Sequence, residues 1–196
     1  MRLFVALDID SQIRRRIADF GDQMRHLAPD VRWVEPETFH ITLQFLGETN
    51  KLDKIQGALR QVQGSPTVLA FRHAGFFPSP HSPRVFWVGI ESDQNLQELV
   101  KSIAETLHPF GFERDKGHFQ PHLTLARSGS GRPRALPGER PVPALQLLRA
   151  KVETLAPLEL GTMTAREFWL YESKLTPRGA HYNKLSRYPL EHVPAL

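Results

Sequence analysis

Two short segments of this chain repeat one pattern, His-x-Thr-Leu, first at His40 and again at His122. Each copy lies in a run of residues that predicts a β-strand. Residues i and i+2 of a strand point to the same face, so each histidine shares a face with its threonine, Thr42 or Thr124. Each strand is therefore expected to present an imidazole and a hydroxyl on one side and to anchor its other side in the core.

Two such strands facing each other would suit phosphoryl transfer at a ribose. The attacking oxygen must lose a proton and the leaving oxygen must gain one. Histidine, with an unperturbed pKa of about 6.5, can do either at neutral pH. The threonine hydroxyls can donate hydrogen bonds to non-bridging oxygens as charge builds. This scheme needs no metal, and the near symmetry of the motifs leaves open which histidine is the acid.

Two other interpretations of these histidines compete with this one. A single His-x-Thr in a strand is usually structural, but two copies at similar places in their halves favour a shared role. A metal site is the second alternative. Against it, neither motif holds a second ligand at suitable spacing, and no helical pattern joins His118 to His122. The histidines expected to be structural or on the surface are His26, His73, His81, His108, His118, His181 and His192.

Length and composition set the class of protein. With 196 residues, 40% of them apolar, the chain is expected to form one domain, or one domain of two similar lobes. The net charge of +4 favours an anionic partner such as a nucleic acid. The sequence contains no cysteine, which excludes disulfides, zinc–thiolate sites and cysteine nucleophiles. No apolar run is long enough to span a bilayer, and the first one is too short for a secretory signal. We expect a cytoplasmic monomer.

The apolar periodicity predicts an α+β fold with antiparallel strand pairs. The predicted helices are 12–27, 52–62, 94–107 and 145–155, and the predicted strands are 2–9, 31–34, 39–46, 68–77, 84–90, 122–126, 159–173 and 182–185. Residues 128–143, rich in glycine and proline, predict a mobile loop that carries Arg132, Arg134 and Arg140. A functional loop and a plain surface insertion fit that loop equally well.

In these motifs and their flanks the sequence resembles the two-histidine (2H) phosphoesterase superfamily. Within it the sequence is most similar to the RNA 2',3'-cyclic phosphodiesterase family, historically called 2'-5' RNA ligase. The matching segments are 2–7, 40–48, 84–89, 121–127, 170–175 and Tyr182. The resemblance implies a bilobal fold with pseudo-two-fold symmetry. Two antiparallel sheets would surround a central cleft, with the helices on the outside. It also implies hydrolysis of an RNA-terminal 2',3'-cyclic phosphate to a 2'-phosphate without a cofactor, and reversible ligation to a 5'-hydroxyl.

The resemblance also implies roles for single residues. His40 would donate a proton to the leaving 3' oxygen, and His122 would accept one from the attacking water. Thr42, Thr124 and Arg127 would bind the phosphate.

Three neighbours of the motifs depend on strand alternation. Strict alternation from His122 places Arg127 on the opposite face. Arg127 stands where the strand gives way to the loop, so the alternation can relax there, and its long side chain could also reach round to the site. Gln44 is expected on the His40 face, as a substrate contact or a polar filler. Phe45 is expected on the other face, as a core residue rather than a base-stacking platform. The competing hypotheses are a non-catalytic RNA-binding module on the same fold, which the two intact motifs disfavour, and a metal-dependent hydrolase.

Overall fold

The computed structural model describes residues 1–113, 118–129, 142–176 and 179–191, which form nine strands and four helices. The strands are β1 (Arg2–Asp8), β2 (Arg32–Trp33), β3 (His40–Glu48), β4 (Thr67–Phe77), β5 (Val85–Ser92), β6 (His122–Arg127), β7 (Glu159–Ala165), β8 (Glu167–Thr176) and β9 (Gly179–Pro189). The helices are α1 (Ser11–Arg25), α2 (Leu52–Leu59), α3 (Gln94–Leu107) and α4 (Pro143–Val152). The loop arginines Arg132, Arg134 and Arg140 lie outside the described residues.

The strands form two antiparallel sheets, which confirms the predicted fold class. Sheet A has the order β3-β1-β8-β9, and sheet B has the order β2-β6-β5-β4-β7. The two histidine strands, β3 and β6, belong to different sheets and contact each other where the sheets meet. The fold therefore brings the two motifs to one place from two sheets.

Strand β1 and helix α1 show how the apolar pattern produces these elements. Residues 3–7 of β1 are buried without alternation, as a central strand covered on both faces requires. In α1, apolar residues at helical spacing face the core, and the carboxylate of Asp10 accepts a hydrogen bond from the backbone N–H of Ile13 at 2.8 Å. Both predictions are confirmed.

Two strand predictions are wrong in their extent. The strand predicted at 159–173 is two strands, because the chain leaves sheet B after β7 and enters sheet A as β8, with Arg166 between them. The last strand is much longer than the predicted 182–185, because β9 pairs along β8 over its whole length. No glycine or proline marks the crossing at Arg166, so the sequence pattern reads as one continuous strand.

One continuous hydrophobic core joins the two sheets. It contains Val5 and Ile41 from sheet A together with Phe86 and Leu123 from sheet B, and all four side chains are buried. None of the helices in the described part of the chain combines the length and the apolar character that crossing a bilayer requires.

Candidate active site

The two motif histidines occupy equivalent places in the fold. Each is the first residue of its strand, and each has its Nδ1 atom close to the backbone carbonyl two residues earlier. The distances are 2.7 Å from His40 to Thr38 and 2.8 Å from His122 to Gln120. A carbonyl oxygen only accepts, so Nδ1 must carry the proton in both rings. Nε2 is then the nitrogen of each imidazole that is left to exchange protons.

Irregular pairing in both motif strands changes which residues face the histidines. In the β1–β3 pair, Ala6 lies opposite Thr42 but Val5 lies opposite Gln44, so the register skips Leu43. A β-bulge of this kind resets the alternation of faces.

The β5–β6 pair contains the same irregularity at the matching place. Trp87 lies opposite Thr124 but Phe86 lies opposite Ala126, so the register skips Leu125. In each strand the residue three positions after the threonine therefore returns to the histidine face.

The bulges overturn the alternation predicted for three residues. Arg127 lies on the site face, where its Nη2 donates a hydrogen bond to the hydroxyl of Thr124 at 3.3 Å. Phe45 is not in the core, since its side chain is 59% exposed and its ring lies 6.3 Å from that of Phe4. Gln44 is buried, and its amide nitrogen lies 3.5 Å from the carbonyl oxygen of Glu113. Thr42 is half-buried and shares a face of β3 with His40, as predicted, since their register partners Ala6 and Asp8 are two residues apart on β1.

Aromatic side chains surround His40 on the sheet A side. The ring of Phe4 lies 4.9 Å away, and the ring of Tyr182 lies 5.0 Å away and nearly perpendicular to the imidazole. Tyr171 stacks on Phe4 at 5.0 Å, and its ring lies 6.2 Å from the imidazole of His40. Burial raises the pKa of the Tyr182 hydroxyl, and the nearby charge of Arg127 opposes that rise. Tyr182 therefore lies between the two halves of the site.

A smaller aromatic pair supports His122 on the sheet B side. Phe77 lies perpendicular to the imidazole at 4.8 Å, and Trp87 lies 5.0 Å from Phe77. The sequence patterns do not predict any of these five aromatic residues as site residues. Four of them lie in the segments that carry the family resemblance, namely Phe4, Trp87, Tyr171 and Tyr182. Their contacts with the histidines depend on strand register, which a single sequence does not reveal.

Burial and charge lower the pKa values of both histidines. Burial is the main cause at His40 and takes its pKa to about 4; the positive charges of Arg127 and His122 add to the effect. Burial also lowers the pKa of His122, again with a contribution from Arg127. The carbonyls of Thr38 and Gln120 oppose these shifts. Both imidazoles are therefore neutral in the free protein at pH 7.

An ion-pair network lies behind His40. Asp8 is the register partner of His40 across β1 and β3, and its carboxylate pairs with Arg14 at 2.7 Å and with Lys184. Burial alone would raise the pKa of Asp8, but Lys184, the N–H of Ile9 and Arg14 together hold it below its usual value. This carboxylate stays ionised and acts against the lowering of the His40 pKa.

The remaining histidines behave as expected for surface residues. The six in the described part of the chain are all exposed, and His192 lies outside it. Among the described residues, no three His, Asp or Glu side chains converge as a metal site would require. The site contains the Nε2 atoms of the two imidazoles, the hydroxyls of the two motif threonines and the guanidinium of Arg127. Together these groups can bind an anion and exchange two protons.

Comparisons with known proteins identify the family of this chain. Residues 10–173 match the family model of the 2'-5' RNA ligase superfamily. An Archaeoglobus fulgidus protein named RNA 2',3'-cyclic phosphodiesterase is 37% identical over 187 residues, which cover 94% of this chain and 98% of the relative. A Methanothermobacter thermautotrophicus protein of the same name is 31% identical over 194 residues, with 97% and 99% covered.

Solved structures show the same fold. The crystal structure of Escherichia coli LigT complexed with 3'-AMP aligns with a TM-score of 0.74 at 25% identity, covering 97% of this chain and 98% of that one. TT0787 of Thermus thermophilus aligns with a TM-score of 0.77 at 23% identity, with the same coverage. The second likeness is one of fold alone.

Proposed function

The chain belongs to the 2'-5' RNA ligase superfamily, and on that premise we propose that it hydrolyses 2',3'-cyclic phosphates at RNA ends to 2'-phosphates. The observation that carries the proposal is the equivalent backbone position and hydrogen bonding of His40 and His122. Each donates its Nδ1 proton to a backbone carbonyl. The two residues lie in different sheets, at the place where strands β3 and β6 contact each other. The relatives named RNA 2',3'-cyclic phosphodiesterase support the choice of substrate.

In the proposed reaction the two histidines move one proton each. His122 takes a proton from water on Nε2 while the water oxygen forms a bond to phosphorus. The bond from phosphorus to the 3' oxygen breaks, and His40 gives its Nε2 proton to that oxygen. The product carries a 2'-phosphate and a free 3'-hydroxyl.

The remaining site residues act on the phosphate. Arg127, with Thr42 and Thr124, would stabilise the charge that builds on the non-bridging oxygens. Because His40 is neutral in the free protein at pH 7, it would be protonated only when the phosphate anion arrives and raises its pKa. A 5'-hydroxyl in place of water would form a 2'-5' linkage by the same steps, so ligation belongs to the proposal as the minor reaction.

The test uses an oligoribonucleotide that ends in a 2',3'-cyclic phosphate, incubated with the protein in the presence of a chelator. The expected product is the 2'-phosphate isomer. His40→Ala and His122→Ala should each lower the rate by on the order of 10²-fold or more, the usual cost of removing an acid–base group. The matched control is His108→Ala, which removes an exposed imidazole and should retain full activity.

Three results would contradict this scheme. Hydrolysis at the wild-type rate by either site variant would show that the replaced histidine is not the acid or the base of the reaction. Loss of activity in chelator would point to a metal-dependent hydrolase. Binding of the oligonucleotide without hydrolysis would favour the RNA-binding module instead.

A further inference from the structure

The face of sheet A that carries His40 continues beyond it as a second, smaller apolar cluster. The members of this cluster are Phe4, Ala6 and Tyr171, with Trp169 and Tyr182 packed against them. The rings of Phe4 and Tyr182 lie 4.9 and 5.0 Å from the imidazole of His40, so the cluster and the site share one face of the sheet. The site is therefore continuous with a surface that runs from β3 across β1 to β8 and β9.

Lys184 places a positive charge on this surface. Its Nζ atom lies 4.5 Å from the centre of the Trp169 ring and also pairs with the carboxylate of Asp8. These two contacts hold the ammonium group in place, while 40% of the side chain remains exposed. An ammonium group has three N–H donors, so after its bond to Asp8 it can still bind a second anion.

The charges around Lys184 leave a surplus of positive charge. Asp8 has a second cationic partner, because Arg14 pairs with its other carboxylate oxygen at 2.7 Å. Arg14 is the less exposed of the two cations, at 22%, and its guanidinium also donates to backbone carbonyls. The neighbouring Arg187 pairs with Glu167 at 2.6 Å, so that pair is balanced. The exposed part of the surplus charge therefore lies on Lys184.

The register of sheet A gives the separation between this charge and the phosphate site. Trp169 lies opposite Ala6 on β1, and Ala6 lies opposite Thr42 on β3. Two strand spacings, about 10 Å, therefore separate Trp169 from Thr42. Because the ammonium of Lys184 stands over the Trp169 ring, it lies about one nucleotide away from a phosphate bound at Thr42.

Building on the proposed function, we propose that Lys184, held by Trp169 and Asp8, binds the phosphodiester on the 5' side of the nucleotide that carries the cyclic phosphate. An RNA strand that continues from the site across β1 and β8 would bring its first internal phosphate to this ammonium. Lysine attracts a phosphate as a point charge and does not contact the base. The contact therefore favours RNA ends of two or more nucleotides over a mononucleotide, without selecting a sequence.

The test uses two dinucleotides that end in a 2',3'-cyclic phosphate and differ only in their internal linkage, a phosphodiester in one and an uncharged methylphosphonate in the other. The 5' nucleoside is a 2'-deoxynucleoside in both, so that the linkage cannot cleave itself. The quantity measured is the ratio of kcat/KM on the charged dinucleotide to kcat/KM on the uncharged one. Any effect of Lys184 on His40 through Asp8 changes both rates alike and cancels in this ratio.

The wild type should prefer the charged dinucleotide. Lys184→Gln should lower the ratio by about 3- to 10-fold, mainly through KM, as loss of a charged hydrogen bond at a partly exposed position does. Lys184→Arg keeps the positive charge and should retain most of the preference. Lys174→Gln is the matched control, because Lys174 is an exposed lysine of β8 whose partner Glu172 lies on the opposite face from Trp169. It should leave the ratio unchanged.

Three results would overturn the contact at Lys184. They are an unchanged ratio in Lys184→Gln, an equal fall in Lys174→Gln, and a fall in Arg2→Gln in its place, which would direct the strand to the other end of the same face. Hydrolysis of both dinucleotides by the wild type at one rate also overturns the contact and leaves the proposed function standing. If the wild type hydrolyses neither dinucleotide, the proposed function falls and the contact falls with it.

Discussion

At the scale of single residues, the site is defined by two imidazoles that burial keeps neutral. Burial takes the pKa of His40 to about 4 and lowers that of His122, and the charge of Arg127 acts in the same direction on both. A bound phosphate brings the opposite charge and raises both values. The substrate would therefore help to create the protonated histidine that the reaction needs.

This arrangement makes the pH dependence of the reaction differ between free and bound protein. Turnover requires one protonated and one neutral histidine, so kcat/KM should follow a bell with both limbs below about pH 6.5, the unperturbed histidine value. The optimum of kcat should lie at higher pH, because the bound anion raises both pKa values. Initial rates over pH 3 to 9 on the cyclic-phosphate oligonucleotide would measure both profiles, including the acid limb set by the low pKa of His40. A monotonic profile, or coincident optima, would contradict the two-histidine scheme.

Arg127→Gln provides the contrast for that experiment. Removing this positive charge removes one of the causes that lower the pKa values of His40 and His122, so the kcat/KM profile should move to higher pH while KM rises. Lys101→Gln removes an exposed positive charge on α3 and should move neither quantity. A rise in KM with an unmoved profile would show that Arg127 binds substrate without tuning the histidines.

The limit of sequence interpretation is also visible at this scale. Alternation placed each histidine with its threonine and failed three residues further on, because both strands contain a bulge just after the threonine. Neither bulge is marked by a glycine: the skipped residues are Leu43 and Leu125. Strict alternation therefore gives the wrong face for Gln44, Phe45 and Arg127, although the family resemblance keeps Arg127 among the site residues.

At the scale of elements, helix α1 positions His40 through Arg14. The guanidinium pairs with Asp8 and donates to the carbonyl oxygens of Ile9, Pro36 and Phe39. Two of these carbonyls, those of Pro36 and Phe39, belong to the short turn at 36–38 and to the residue after it. The Thr38 carbonyl at the end of this turn holds the Nδ1 proton of His40. Arg14 thus fixes the backbone that orients the imidazole.

Replacing Arg14 should therefore impair turnover more than binding. Arg14→Leu keeps the bulk of the side chain and removes its hydrogen bonds, and we expect kcat to fall about 10- to 100-fold with little change in KM, as small misplacements of a catalytic group do. The ¹⁵N shifts of the His40 ring should also report a mixture of tautomers, a change that a loss of stability alone would not produce. Arg15→Leu, at an exposed position of the same helix, is the control. A lower Tm with unchanged kcat and ring shifts would assign Arg14 a purely structural role.

The elements differ in how well the sequence predicts them. Helix α3 matches its prediction at both ends and α1 within two residues, because apolar spacing marks both and an aspartate stands at the N-cap position of each. Only the Asp10 carboxylate caps its helix, since that of Asp93 accepts hydrogen bonds from Thr67 and Val68 instead. The crossing at Arg166 and the length of β9 could not be predicted, because long-range pairing with β1 and β8 decides both. Local patterns determine helices, whereas strand ends depend on which neighbour a strand finds.

At the scale of the whole molecule, the two lobes are not the two halves of the chain. Sheet A joins β1 and β3 from the N-terminal part to β8 and β9 from the C-terminal part, while sheet B takes the strands between them and the short β2. One continuous core contains side chains from both sheets. We therefore expect the lobes to fold as a single domain, although each contributes one histidine strand.

The three tryptophans make this expectation measurable, because Trp33 and Trp87 lie in sheet B and Trp169 lies in sheet A. One variant would keep only Trp169 and a second only Trp87, with phenylalanine at the other two positions, and each would be unfolded in denaturant. Both probes should report one midpoint, since small single domains unfold cooperatively. The sharper test adds a core truncation in one sheet to both variants.

Leu170→Ala in sheet A removes a fully buried side chain and should cost about 2–5 kcal/mol. Because the core is shared, this truncation should lower the midpoint seen by Trp87 as much as the one seen by Trp169. Leu69→Ala, the matched truncation of a fully buried leucine in sheet B, should act on both probes in the same way. If each truncation moved only the probe of its own sheet, the lobes would be two domains, and their relative position would then have to be set by substrate binding rather than by the core.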